Sequence, residues 1–354
     1  MPSLVIYELP EGVVRTKIPL VKCPVQIQCD YSESKGWDLK WSPSGRYLAF
    51  PAMWYGASTD LYVYDSHDGT TRQLTNGPDN VAQLAWSPDG RLILMGELLT
   101  ASGQVYPYTT SMWTVSVSTN DIKQIYTLNL PMPQTLLGWI DNEKFVIYDG
   151  TSVANALGLA SMNLRMIDLA TGRIQPVFDG SFSSAWLDPA GATIVLVGKH
   201  TGAQYQQGTY LLSIGAFTVK YLGAFTSVWD EDAQLFVTNA NCTDAPALFQ
   251  AFDYSGKMQC IQMPTRSKQY ISPDGHWVAS LQGGFVSLQA RDQPVVSINI
   301  ISKEPGTQVI WSPDSLGFFF VAKQVLYFVS LPIASIQTVY QPLNTDKLDF
   351  QWLK

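Results

Sequence analysis

Histidine is almost missing from this chain: its 354 residues hold only His67, His200 and His276. Imidazole-based metal centres and histidine general bases therefore have few candidates. Charge is also sparse, at 14% of residues with a net charge of −7, and no run of basic residues occurs. A nucleic-acid backbone is excluded as a partner on that ground. The four cysteines, Cys23, Cys29, Cys242 and Cys260, match no zinc spacing and are too few for a disulfide scaffold, so they read as buried or incidental thiols. The opening Met1-Pro2-Ser3-Leu4-Val5-Ile6-Tyr7-Glu8 lacks a basic segment followed by an apolar one, and no apolar stretch is long enough to span a bilayer. The expectation is a cytoplasmic protein without membrane insertion. P-loop and dinucleotide fingerprints are absent, and almost nothing has helical periodicity.

What the chain does have is one tryptophan phrase, written repeatedly. Trp41-Ser42-Pro43-Ser44-Gly45-Arg46, Trp86-Ser87-Pro88-Asp89-Gly90-Arg91 and Trp311-Ser312-Pro313-Asp314 are copies. Degenerate versions start at Trp139, Trp186 and Trp229, and at Tyr270-Ile271-Ser272-Pro273-Asp274-Gly275 a tyrosine takes the aromatic place. Trp352 closes the series, whose members lie 41 to 53 residues apart. A period of about 40–45 residues with several short strands per copy marks a β-propeller. Within one copy, Arg46–Phe50, Asp60–Asp65, Thr71–Thr75 and Val81–Trp86 read as strands, and the second is apolar on both faces, as in a sheet covered on both sides.

The Ser-Pro-Asp-Gly stretch reads as a turn. Proline presets φ for its first corner, aspartate bonds back to the backbone, and glycine accepts the positive φ on leaving. The repeated carboxylates are thereby explained without calcium. From Trp352 round through Met1 to Trp41 is 43 residues, one more repeat length. The expected fold is thus all-β: a single propeller of eight blades closed by both termini. Lys347–Leu353 would be the innermost strand of the last blade, and the first 30 or so residues its outer strands. Seven blades plus a partial extra sheet is the alternative, because the N-terminal unit is the least regular.

The Trp-Ser-Pro-Asp-Gly-Arg phrase followed by a strand resembles the TolB-type, WD40-like propeller repeat, often called PD40. The resemblance extends over essentially the whole chain, strongly at positions 41, 86, 270 and 311. The same repeat looks like that in the propeller domains of prolyl-oligopeptidase-family peptidases. What the resemblance implies is a fold and a habit of binding other molecules; it brings no catalytic residue with it. Peptidases bearing this propeller also carry an α/β-hydrolase domain with a Gly-x-Ser-x-Gly elbow. No such pentad occurs here, Gly56-Ala57-Ser58-Thr59 lacking the closing glycine, and the repeats leave no room for a second domain. Residues 1–354 therefore read as a single propeller domain without a separate catalytic domain, and serine hydrolysis is rejected.

Function is sought in loop asymmetry. The connection after the first strand of each copy is long at Met53–Thr59, Glu97–Ser111, Asp149–Ser161, Lys199–Gly208 and Asn239–Ala247, then collapses to Gln282–Gly284 and Ala322–Gln324. In a propeller these loops share one face, and their Tyr, Trp, Asn, Gln and Ser content suits an adaptable contact surface. Neutral drift of exposed loops would also lengthen them. The binding candidates are Trp54, Tyr55, Tyr106, Tyr108, Asn155, His200, Tyr205 and Asn241. No catalytic residue, metal ligand or cofactor is expected: His67 and His276 fall on one face and His200 on the other. The leading reading is a non-catalytic binding or scaffold propeller for a protein segment or small polar ligand. The alternative is a hydrolase or lyase with its site at the axial channel.

Overall fold

The computed structural model describes residues 3–8, 13–22, 38–55, 58–78, 80–101, 104–127, 134–150, 162–201, 206–230, 233–262, 268–282, 285–291, 293–301, 309–322, 325–331 and 335–340. Every regular element among them is a strand. A two-stranded hairpin, β1 (Ser3–Glu8) and β2 (Val13–Pro19), comes first. Blade 1 follows as β3 (Lys40–Trp41), β4 (Tyr47–Ala52), β5 (Asp60–Asp65) and β6 (Thr71–Gln73). Blade 2 is β7 (Asn80–Trp86), β8 (Leu92–Ala101), β9 (Gln104–Ser116) and β10 (Ile122–Thr127). Blade 3 is β11 (Gln134–Trp139), β12 (Lys144–Gly150), β13 (Met162–Asp168) and β14 (Ile174–Phe178). Blade 4 is β15 (Gly180–Leu187), β16 (Thr193–His200), β17 (Gln207–Ser213) and β18 (Thr218–Gly223). Blade 5 is β19 (Ser227–Asp230), β20 (Leu235–Asn241), β21 (Phe249–Phe252) and β22 (Met258–Ile261). Blade 6 runs through β23 (Lys268–Ile271), β24 (Trp277–Gln282), β25 (Phe285–Ala290) and β26 (Gln293–Ile301), and blade 7 through β27 (Val309–Trp311), β28 (Gly317–Ala322), β29 (Val325–Ser330) and β30 (Ser335–Tyr340).

The fold is an all-β propeller of seven blades, which corrects the expected eight. The reason lies at the N-terminus. Among the described residues β1 and β2 form a sheet of two strands, short of the four that make up each blade. The proposed closing strand Lys347–Leu353, with Trp352, lies outside the described residues, as does Pro24–Gln28. Chain contacts divide the residues into two units, one made of Met1–Leu4, Ile18–Trp229 and Leu235–Cys260, the other of Val5–Lys17, Asp230–Gln234 and Ile261–Lys354.

Within each unit, consecutive blades share a hydrophobic core. Because side chains alternate along a strand, a blade can feed both faces. On β8, Ile93 and Met95 join Leu61, Val63 and Trp86 in the core shared with blade 1. Leu94, between them, joins Trp139, Phe145 and Ile147 in the core shared with blade 3. The same pattern links blades 3 and 4 through Phe178, Phe182 and Leu196, and blades 6 and 7 through Leu288, Phe318 and Phe320.

The repeated tryptophan also makes a latch. The indole N–H of Trp86 donates to Lys40 O at 2.8 Å, that of Trp139 to Ala85 O at 3.3 Å, and that of Trp311 to Tyr270 O at 2.9 Å. Lys40 and Ala85 each precede the motif residue of the preceding blade. By that register Ile271, and not Tyr270, holds the tryptophan's place in blade 6. Ile271 is 53% exposed, while Tyr270 packs against the core of blades 6 and 7.

The turn behaves as its chemistry requires. Gly45, Gly90 and Gly275 have φ of 73°, 71° and 74°, and Ser315 takes the same left-handed place at 61°. A Cβ on Gly191, φ 73°, would stand 2.1 Å from Ile140 O in the neighbouring blade's turn, so glycine is also sterically required there. Asp274 Oδ1 accepts the His276 N–H at 3.0 Å and the Ser272 hydroxyl at 2.5 Å, both within its own turn.

Candidate functional site

Two strands on neighbouring blades, β5 and β8, carry polar chemistry. Asp60 starts β5 opposite Ala52 on β4 and is only 5% exposed. Its Oδ1 accepts the Gly77 N–H at 3.0 Å and the Thr75 hydroxyl at 3.3 Å, and its Oδ2 accepts Gln73 Nε2 at 3.1 Å. Burial nevertheless wins, and the Asp60 pKa is raised above its ordinary value. Gly77 also accepts the Ser58 hydroxyl on its carbonyl, at 2.9 Å. On the other side of Gly77 stands Glu97 of β8, whose Oε1 would lie 3.8 Å from a Cβ added to that glycine. Glu97 Oε2 accepts Trp113 Nε1 at 2.8 Å and the Ser111 hydroxyl at 3.2 Å. Two carboxylates thus flank one main-chain turn, each held by neutral donors.

An aromatic group adjoins Asp60. Trp54, just past β4, sets its ring 4.2 Å from that of Tyr62 and donates its indole N–H to Pro19 O at 2.7 Å. The Lys22 ammonium lies 3.6 Å over the same indole. Main-chain bonds from Lys22 N to Met53 O and from Met53 N to Leu20 O, both 2.8 Å, fix the incoming segment here. Tyr55, next to Trp54, is 67% exposed.

The sequence-derived candidates divide among several settings. Trp54 is half-buried and clamped, and Tyr55 is open to solvent. His200 ends β16, half-buried, with its ring 5.0 Å edge-on to Phe178 and 6.4 Å from Tyr210. That setting is aromatic packing. Burial raises the Tyr210 pKa, and its hydroxyl donates to Gln206 O. Asn241 is exposed and ties its own loop, Nδ2 donating to Pro246 O at 2.9 Å while its carbonyl accepts Gln250 Nε2 at 3.1 Å. Tyr106 and Tyr108 fall in β9, so the long Glu97–Ser111 loop is instead an extended hairpin of β8 and β9. Their side chains lie outside the described residues, as do Asn155 and Tyr205. Of the four candidates whose side chains are described, Trp54 and Tyr55 are brought to the polar cluster, and His200 and Asn241 are not.

Sequence reasoning passed over Asp60, Tyr62, Glu97 and Trp113. The available signal was a strand, Asp60-Leu-Tyr-Val-Tyr-Asp65, that is apolar in pattern yet carries two phenols and opens on a carboxylate. The cysteines need correction too: Cys242 and Cys260 form a disulfide, with an S–S distance of 2.08 Å, not thiols. Cys23 and Cys29 lie outside the described residues. Among the described residues no group of three or more His, Cys, Asp or Glu side chains gathers as a metal cage. Among the described residues no helix is long and apolar enough to cross a membrane.

No protein-family model matches this chain. The uncharacterized peptidase YuxL of Bacillus subtilis is 40% identical over 65 residues, which is 18% of this chain and 10% of that protein. The structure of Porphyromonas gingivalis dipeptidyl peptidase 4 superposes with a TM-score of 0.58 and 13% identity, over 95% of this chain and 56% of that one. A prolyl endopeptidase gives a TM-score of 0.52 and 12% identity, over 86% of this chain and 50% of the other. The fold is that of peptidase chains, over about half their length. These findings overturn the reading of a non-catalytic binding or scaffold propeller. They favour the hydrolase alternative, and with it weaken the argument that a missing elbow excludes hydrolysis.

Proposed function

We propose that this chain serves a peptidase-type hydrolase, as the propeller portion that receives peptide. The observation that carries the proposal is the 65-residue stretch 40% identical to a protein named as a peptidase. The TM-scores of 0.58 and 0.52 against two peptidase chains, each about twice the length matched, support it at the level of fold. We also take the repeats to be of the TolB type, since the Ser-Pro-Asp turns carry the residues of that phrase.

The 354 residues lack a Gly-x-Ser-x-Gly pentad, so the proposal assigns them substrate handling and leaves the nucleophile outside them. The cluster around Asp60, Trp54 and Tyr55 suits peptide, because it combines aromatic faces with fixed hydrogen-bonding groups. The Cys242–Cys260 bond supports a working place in an oxidising compartment, where such bonds persist, in place of the cytoplasm first expected.

The test uses protein isolated in its natural form, incubated with a mixture of peptides and with fluorophosphonate as a serine-directed inhibitor. Mass spectrometry should reveal new peptide termini, and the inhibitor should suppress them. Unchanged peptides throughout would overturn the proposal.

A further inference from the structure

Asn76-Gly77 is the one Asn-Gly pair in the chain, and it lies in the connection between β6 and β7. Asparagine before glycine is open to attack on its carboxamide by the next main-chain nitrogen, because glycine places no side chain in the way. Asn76 is exposed, while the residues on both sides of it are tied down. Thr75 accepts the Leu61 N–H on its hydroxyl at 2.8 Å. Gly77 is held at both ends, its N–H donating to Asp60 Oδ1 at 3.0 Å and its carbonyl accepting the Ser58 hydroxyl at 2.9 Å. An open carboxamide thus adjoins a main-chain nitrogen that is fixed and already hydrogen-bonded to a carboxylate.

That acceptor sets Gly77 apart from the glycines of the Asp-Gly turns. There the glycine N–H donates to a main-chain carbonyl: Gly69 to Asp65 O, Gly90 to Ser87 O and Gly275 to Ser272 O. Such an oxygen takes up no proton near neutral pH. The side chains in those turns are also poor electrophiles. The Thr70 hydroxyl lowers the Asp68 pKa and the Ser272 hydroxyl lowers that of Asp274, so both stay ionised. At Gly77 the electrophile is a neutral carboxamide. The acceptor is a carboxylate within the reach required of a general base, and burial raises its affinity for a proton.

We propose that Asn76 is a self-modification site at which Asp60 acts as the base. The Asp60 carboxylate takes the Gly77 N–H proton as that nitrogen bonds to Cγ of Asn76. The bond from Cγ to the carboxamide nitrogen breaks, and ammonia leaves with the proton returned by Asp60. The product is a cyclic imide, which a water molecule opens to aspartate or to isoaspartate at position 76. No oxidant or cofactor enters, and the Asp60 carboxylate is regenerated. Aspartate there adds a charge beside Asp60 and Glu97. Isoaspartate adds a methylene to the main chain ahead of Gly77, so the bonds of Gly77 to Asp60 and Ser58 must rearrange. The reaction is independent of the peptide-handling reading.

The full protein is kept folded near neutral pH, and samples taken over time are digested and resolved by mass spectrometry into the asparagine, imide, aspartate and isoaspartate forms of position 76. A guanidinium-unfolded sample supplies the rate without the Asp60 contact. Conversion should be faster in the folded protein than in the unfolded one, and faster than at any other asparagine. Asp60→Asn keeps an acceptor for the Gly77 N–H but removes the base. It should slow conversion by about tenfold or more, since a positioned base supplies about a hundredfold at the least. Gly77→Ala should lose most of the conversion and still fold, because the φ of Gly77 is not left-handed and an added Cβ would meet Glu97 Oε1 at an ordinary 3.8 Å. Ser58→Ala frees the Gly77 carbonyl and leaves Asp60 in place, so conversion should persist. An unaltered or faster rate in Asp60→Asn would show that the carboxylate only restrains the glycine, and would overturn the proposal. Folded protein in which Asn76 stays intact would overturn it too. Melting curves establish that each variant is folded at the temperature used. Should Asp60→Asn be unfolded there, the comparison of folded with unfolded protein decides, and slower conversion in the folded protein removes the base.

Discussion

Ser87 has none of its surface exposed, although it sits in a surface turn. Its hydroxyl accepts the Leu92 N–H at 3.0 Å and donates to Asp89 Oδ1 at 2.7 Å. Ser42, Ser272 and Ser312 accept the N–H five residues on in the same way, at 3.0, 2.9 and 3.0 Å. The serine thus seals the end of the following strand, a role that the proline, aspartate and glycine around it obscure. Ser87→Ala should cost about 1–3 kcal/mol, because it leaves the part-buried Leu92 N–H without its partner, while Asp89 keeps its bonds to Arg91. Asp89→Ala should cost about 1 kcal/mol, since solvent reaches the turn it bonds. Trp86→Ala should exceed both, at about 3–5 kcal/mol, through the cavity and the lost latch to Lys40. Urea unfolding of the three variants gives the order; a Ser87→Ala cost below that of Asp89→Ala would contradict the assigned roles.

Among the described residues, blade 5 is the one with a covalent clip. Cys242, buried just past β20, is bonded to Cys260 on the outer strand β22, across 18 residues. β22 is otherwise a weak strand: four residues, the first three exposed. An outer strand with so little buried surface depends on something besides apolar packing. Replacing both cysteines by serine should lower stability by about 3 kcal/mol, the chain-entropy value for a loop of this size. Thermal melts of the native protein with and without reductant should show the same direction, and identical melts would show that the clip adds nothing. Neither cysteine's spacing reveals the pair. The contact depends on where β20 and β22 run within one blade.

For the whole molecule, acid stability is set by opposing carboxylates. Arg46 holds Asp65 with Nε at 3.1 Å from both oxygens and Nη2 at 2.7 Å, which lowers the Asp65 pKa. Asp274 and Asp314 are lowered by the Ser272 and Ser312 hydroxyls respectively. The stability these groups contribute is present above the ordinary carboxylate value of 3.8 and disappears as pH falls through their lowered values. Asp60 works in the opposite sense. Its raised pKa means that the folded state carries a cost near neutrality, and protonation relieves it as pH falls. Urea midpoints measured from pH 7 to pH 3 should therefore drop less steeply for Asp65→Asn than for the unmodified protein, and more steeply for Asp60→Asn. The reverse order would show that the ion pair or the burial has been misjudged.

The sequence alone determined the propeller and most of its strands, because the Trp-Ser-Pro-Asp-Gly turn is local chemistry repeated at a fixed interval and needs no distant partner. Asp60–Asp65 was legible to the residue as a strand covered on both faces. The blade count was not, since spacing records where repeats lie and not which strands pair; among the described residues the strands group into seven sets of four and leave β1 and β2 as a separate hairpin. The aromatic register of blade 6 was misread by one residue, because Tyr270 looks like the motif aromatic until the Trp311 indole bond shows which carbonyl occupies that place. The candidate site was legible only at Trp54 and Tyr55, which stand out in a loop. Asp60, Tyr62, Glu97 and Gly77 are separated in sequence and unremarkable in pattern. Only the packing of β5 beside β7 and β8 brings them together, and it buries Asp60 and Tyr62 while leaving Glu97 and Gly77 half-buried.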